Sequence, residues 1–333
     1  MRTPGRVRYL LLPILLLLAG CGGSQHSAAE RYVLVVLRPK LAYWQAAAAG
    51  LRAAADQLGV KSDFVGPDAY DVRAQQEEFR KVVAQKPAGI LVSPADPELM
   101  KADINQAIEQ GIPVITMDSD ASASKRLLFI GTNNYQAGVI GGRVLADRLK
   151  GKGKVVVYTM PRQANLHERL RGYQEVLGGH PGIKITEVVD IKGDPGVAAG
   201  RTQELIVQKK DRPDAFVCLE AAACQVVAEV LDRNKILDKL VIAMDTDLGT
   251  LEWIQKGLIA ATIAQKPYTM AFVGLKMLDD LHHHKLPSLD RQWGQNPFAP
   301  IPTFIDTGTT LIDKSNVGRF LEAQRTATAK KPG

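Results

Sequence analysis

Two aspartates hold matched positions in two copies of one short pattern, Val114-Ile-Thr-Met-Asp118-Ser-Asp120 and Val241-Ile-Ala-Met-Asp245-Thr-Asp247. In each copy a β-branched apolar run ends in Met and gives way to a carboxylate, as a buried strand does when it stops at a polar turn. A carboxylate so placed accepts hydrogen bonds from adjacent hydroxyls of a ligand. A lone Asp there would as readily cap a turn or a helix, and the matched pair weighs against that plainer role. Arg169 offers a planar fork of donors to hydroxyl or carboxylate oxygens. Glu220 and Gln265 each follow a further apolar run. Tyr43 and Trp44 stand side by side, and aromatic faces cover the C–H side of a sugar ring while charged groups hold its rim. Successive helix positions lie about 100° apart, so one of the two rings can instead turn into a core.

Asp118, Glu220 and Asp245 against Arg169 make this set lean negative unless Arg38 or Lys40 reaches in. A neutral or cationic small polar ligand is therefore expected, a sugar or polyol. An anionic sugar acid or sugar phosphate would meet unfavourable charge in a desolvated cleft.

Such residues must be held by strand ends, and the chain supplies them. Short β-branched runs at Val33–Leu37, Lys61–Val65, Gly89–Val92 and Pro113–Met117 alternate with amphipathic stretches at Tyr43–Leu58, Val72–Gln85 and Glu98–Gln110, which close at Gly59, Pro87 and Gly111. The cadence restarts after Gly131 with runs at Lys154–Tyr158, Ile183–Val189, Ala215–Cys218, Leu240–Met244 and Ile259–Ala264. Helical stretches Thr269–His282 and Asn316–Ala327 flank a Pro-rich segment and the strand-like Thr303–Asp306 and Thr309–Ile312. The expected fold is α/β, two doubly wound parallel-sheet lobes joined by a hinge. One lobe is assigned to residues 31–131 plus 266–302 and the other to residues 132–265 plus 303–327. Crossings are expected near Gly131, Gln265 and Asp306. In open parallel sheets ligands bind beyond the carboxyl ends of the strands, where the residues named above fall.

The chain has 333 residues, about two domains' worth, with 46% hydrophobic and 23% charged residues. Arg2, Arg6 and Arg8 precede the apolar run Tyr9–Leu18, too short for a membrane span and suited to an export signal over residues 1–20. Leu18-Ala19-Gly20-Cys21 has the look of a lipobox, which implies lipidation of Cys21, anchorage to the membrane in the periplasm or cell envelope, and a small polar tether over residues 21–30. The formal charge of +7 falls to +4 without the three leader arginines, and no nucleic-acid partner is called for. Cys218 and Cys224 form either a short-loop disulfide or a pair of buried thiols.

Other signals carry less. His282-His283-His284 point in three directions on a helix and cannot converge on one ion, so no metal is expected. Ser122-Ala-Ser-Lys125 has the S-x-x-K spacing without its partner motifs. There is no P-loop, no G-x-S-x-G elbow and no G-x-G-x-x-G after the first strand, so neither an enzyme nor a cofactor is expected.

Several motifs, in order, resemble the ribose-type periplasmic binding proteins (type I) from about Val33 to Ile312. They are Ile112-Pro-Val-Ile-Thr-Met-Asp118-Ser-Asp120, Ile130-Gly-Thr-Asn-Asn-Tyr135, Arg169-Leu-Arg-Gly172-Tyr173, Asp214-Ala-Phe, and Met244-Asp245 through Gly257-Leu-Ile-Ala-Ala-Thr-Ile-Ala-Gln265. The resemblance implies ligand contacts at Tyr43, Trp44, Asp118, Arg169, Asp245 and Gln265, and a monomer that delivers sugar to an ABC permease. A ligand-presenting role for a chemoreceptor or sensor kinase is the alternative. Leu41 and Glu220 stand where ribose binders of the family have Asn, and Asp194-Pro195 where they often have an aromatic, which points away from ribose itself.

Overall fold

The computed structural model describes residues 26–27, 29–208, 212–286 and 293–329. The expected signal peptide, Cys21 and most of the tether lie outside the described residues. No described helix is long and apolar enough to cross a membrane.

The chain opens with β1 (Arg31–Val35), α1 (Ala42–Leu58), β2 (Lys61–Val65), α2 (Val72–Ala84), β3 (Gly89–Val92), α3 (Pro97–Glu109), β4 (Val114–Met117) and β5 (Phe129–Gly131). It continues with α4 (Asn134–Leu149), β6 (Gly153–Thr159), α5 (Ala164–Gly178), β7 (Ile183–Asp190), α6 (Pro195–Val207), β8 (Ala215–Cys218), α7 (Ala221–Arg233), β9 (Leu240–Met244), α8 (Leu248–Lys256) and β10 (Ala261–Ala264). Then come α9 (Pro267–His283), β11 (Phe304–Asp306), β12 (Thr310–Asp313) and α10 (Val317–Ala329).

Two six-stranded sheets result, ordered β11-β5-β4-β3-β1-β2 and β12-β10-β9-β8-β6-β7. The first is parallel throughout. The second is parallel except for β12, which runs antiparallel to β10 at its edge. Helices cover both faces, so strand residues are buried on alternate sides: Tyr32 and Leu34 join the core with α1 and α9, while Val33 and Val35 join the core with α2 and α3. Asp71, Asp96, Asp194 and Glu220 cap the helices that follow them, fixing where each loop ends.

The third crossing differs from the assignment of residues 303–327 to the second lobe. Phe304–Asp306 pairs in parallel with Phe129–Gly131 in the first sheet, and Phe304 stacks on Phe129 with ring centroids 5.1 Å apart. The chain passes over only after Asp306, and β12 then completes the second sheet. The sequence pattern also passes over α4, whose Gly138, Gly141 and Gly142 lower helix propensity. Those glycines serve the crossing with α5: a Cβ at Gly138 would collide with the Arg169 carbonyl, and one at Gly172 with the Tyr135 carbonyl. The close approach sets the depth at which Arg169 emerges. Cys218 and Cys224 are free, buried thiols, and Cys224 Sγ donates to the Ile242 carbonyl at 3.4 Å.

Candidate functional site

The carboxyl ends of β1, β3, β4, β6, β8 and β9 face one cleft between the lobes. Its lining includes Tyr43, Trp44, Ser93 and Asp118 from the first lobe, Asn165, Arg169, Glu220 and Asp245 from the second, and Gln265 at a crossing. All seven residues selected from the sequence are thus brought together. A wider groove on the first lobe, near Lys101, Lys125 and Lys285, has no carboxylate among its described lining residues and is bordered by Leu286 and Trp293, on either side of residues outside the description.

Asp118 and Asp245 both adopt left-handed backbone, with φ of 65° and 70°. Such geometry is tolerated by Asp more readily than by most residues and turns its side chain away from the strand. Each backbone N–H donates at 3.0 Å to an isoleucine carbonyl on the next strand, Ile130 for Asp118 and Ile263 for Asp245. The two strand ends are built alike.

Their side chains meet different partners. Asp118 accepts from Tyr43 Oη at 2.7 Å, Ser93 Oγ at 3.2 Å and Asn165 Nδ2 at 3.2 Å. The last of these spans the lobes, as do Gln163 Nε2 to Tyr70 Oη at 3.1 Å and Arg38 Nη1 to the Gly193 carbonyl at 2.6 Å, so the lobes are in contact across the cleft. Asp245 accepts from Gln265 Nε2 at 2.9 Å. Burial raises the pKa of both aspartates, against the pull of Arg169, and carries Asp245 to about 7.

Arg169 is buried at 2% exposure and each of its nitrogens donates: Nε to Asn134 Oδ1 at 2.9 Å, Nη1 to the Leu219 carbonyl at 2.7 Å and Nη2 to Gln265 Oε1 at 2.7 Å, which leaves two N–H groups for a guest. Thr132 Oγ1 donates to the same Gln265 oxygen at 2.9 Å, so the guanidinium is fastened to two of the crossings.

Glu220 lines the cleft, yet its oxygens cap α7 by accepting from Ala222 N at 2.8 Å and Ala223 N at 2.6 Å. Burial raises its pKa, and Arg38 nearby opposes that rise. Arg38 does reach in, whereas Lys40 stays on the surface paired with Asp68. The cleft therefore carries three carboxylates against two guanidinium groups, close to neutral once the raised pKa of Asp245 is counted.

Tyr43 and Trp44 do not form one flat face. Their rings meet edge to face at 88° with centroids 4.9 Å apart, the indole joining the core and the phenol held by Asp118. Ser93 and Asn165 were not singled out from the sequence. Ser93 had a signal, since it directly follows the buried run Gly89–Val92, as Asp118 follows its own strand.

The profile of the periplasmic binding protein domain matches residues 32–285. The xylose/arabinose-binding protein of Sulfolobus acidocaldarius is 24% identical over 310 residues, which cover 85% of this chain and 71% of that one. The structure of AraP, an arabinose binding protein from Geobacillus stearothermophilus, aligns with a TM-score of 0.72 at 36% identity, over 88% of this chain and 99% of that one. A structure described as the XylFII-LytSN complex aligns with a TM-score of 0.76 at 25% identity, over 86% of this chain and 99% of that one.

Proposed function

The chain belongs to the periplasmic binding protein family, and we propose that its cleft captures a neutral sugar of pentose or hexose size and delivers it to the permease of an ABC importer. The observation that carries this reading is the pair of buried carboxylates, Asp118 and Asp245, set at equivalent strand ends on opposite walls of one cleft with Arg169 between them. Ring hydroxyls donate to the carboxylates and accept from the guanidinium, which suits a polyhydroxylated guest better than a charged one. Relatives named for arabinose and xylose support an aldose.

Contacts from both walls favour closed lobes when the guest is present, because only the closed form offers both sets. Cys21 would carry the lipid that keeps the protein at the membrane, and loss of membrane association on Cys21→Ser, measured by fractionation, tests that step. Presentation to a sensor is the second reading, favoured by the likeness to XylFII in complex with LytSN. Cross-linking in the native membrane distinguishes a permease partner from a sensor.

The test of the main reading is a thermal-shift panel of pentoses, hexoses, inositols, amino sugars and sugar phosphates, with mass spectrometry of co-purified ligand. A neutral sugar at 100 times its Kd should stabilise the protein by about 2.7 kcal/mol. Strongest stabilisation by a sugar phosphate or sugar acid would overturn the assignment.

A further inference from the structure

The three successive histidines at the end of α9 do not all converge: His284 turns to Asp280, while His282 and His283 meet residues from the opposite end of the chain. His283 lies one turn beyond Asp279 on the same face of α9, and His26, just ahead of β1, lies against both. We infer that His26, Asp279 and His283 form a binding site for one divalent transition-metal ion, of which Zn2+ is the representative.

One ligand atom from each of the three lies within 4.8 Å of the others. His26 Nε2 is 2.9 Å from Asp279 Oδ2, and His283 Nε2 is 3.7 Å from Asp279 Oδ1. Tetrahedral zinc with bonds of about 2.0–2.1 Å sets neighbouring ligand atoms about 3.3 Å apart, inside that range. Two imidazoles and one carboxylate are the donors of three-ligand zinc sites with an open fourth position, and they do not suit Ca2+ or Mg2+, which take oxygen ligands.

The surroundings support a cation. The buried Tyr32 hydroxyl donates to Asp279 Oδ1 at 2.9 Å, the kind of outer hydrogen bond that orients a ligating carboxylate. Glu30 Oε2 lies 3.0 Å from His283 Nε2 and adds a second carboxylate beside the imidazoles. The side chains of His26, Asp279 and His283 are only 12–21% exposed. His282, with Glu30 and His283, forms a second overlapping group. His284 is turned elsewhere, to Asp280.

The site sits at the amino end of β1, on the far side of the first sheet from the cleft. An ion there clamps the segment that precedes the first strand to the last turn of α9.

The test uses tag-free full chain stripped with EDTA and titrated with Zn2+ against a chromogenic chelator. One equivalent should bind, about tenfold or more weakly in both His26→Ala and His283→Gln, and unchanged in His284→Ala. Matching circular dichroism and thermal unfolding of the metal-free variants separate loss of the site from loss of the fold. Absence of stoichiometric binding in the unaltered chain, full affinity in His26→Ala, or an equal loss in His284→Ala would overturn the proposal.

Discussion

Asp118 in the first lobe and Asp245 in the second share a preceding methionine, a left-handed backbone and a bond to the next strand, yet they stand in different company. Three side-chain donors from three segments surround Asp118, one of them from the opposite lobe. Asp245 has the Gln265 amide, and its pKa rises to about 7. Repetition of the βα pattern places both carboxylates, and burial raises the pKa of each; what differs is the set of donors around them.

Arg169→Met removes the one guanidinium that opposes the pKa rise of both aspartates. It leaves buried acceptors on Asn134, Leu219 and Gln265 without that donor, so destabilisation of about 3–5 kcal/mol is expected in urea unfolding. Near-normal stability would break the idea that a single cation serves both lobes.

Next in size, Asp118→Ala should weaken binding of the best sugar in the panel about ten- to hundredfold, the range for a lost hydrogen bond to a charged group. Calorimetry should show a larger loss for Asp245→Ala at pH 8 than at pH 6, because its carboxyl ionises through about 7. Equal losses at the two values would mean that ionisation of Asp245 does not govern binding.

The pH dependence itself comes third. If sugar hydroxyls donate to ionised Asp245, affinity falls as pH drops through about 7, by about tenfold between pH 8 and pH 6. Asp245→Asn should flatten that profile. The sign for the ligand-free protein is opposite: a carboxyl whose folded pKa lies above its unfolded value holds more protons when folded, so its contribution to stability declines as pH rises from about 4 to about 7.

The smallest effect belongs to Glu220. Its Ala variant should lose about 1 kcal/mol of stability through the uncapped α7, while sugar affinity changes by less than about twofold. A loss of affinity beyond tenfold would make Glu220 a ligand contact instead of a cap.

Most strands were legible because helices on both faces force near-continuous apolar runs, and Gly89–Val92, Ala215–Cys218 and Leu240–Met244 lie where the pattern put them. The cleft was legible in its acids, since each ends such a run. Helix α4 was not, because its glycines are chosen for approach to α5 and not for helix propensity. Nor was the pairing of Phe304–Asp306 with β5, since three half-exposed residues carry no mark of which sheet they will join. Glu220 was placed correctly in space, but capping is a hydrogen-bond choice that the residue type leaves open. Asn165 gave no signal, because its partner lies 47 residues away in the other lobe.

The polypeptide passes between the lobes three times, and those passages are tied to one another: Thr132 to Gln265, the Asn133 amide to Asp306, and Thr307 to the Gly131 carbonyl. Neither half is therefore a continuous piece of chain. Truncation after Gly131 would strip the first lobe of α9 and of its outermost strand, so recombinant fragments should be designed as permuted or split pairs. A protease nick in any one passage would leave the other two holding the halves together.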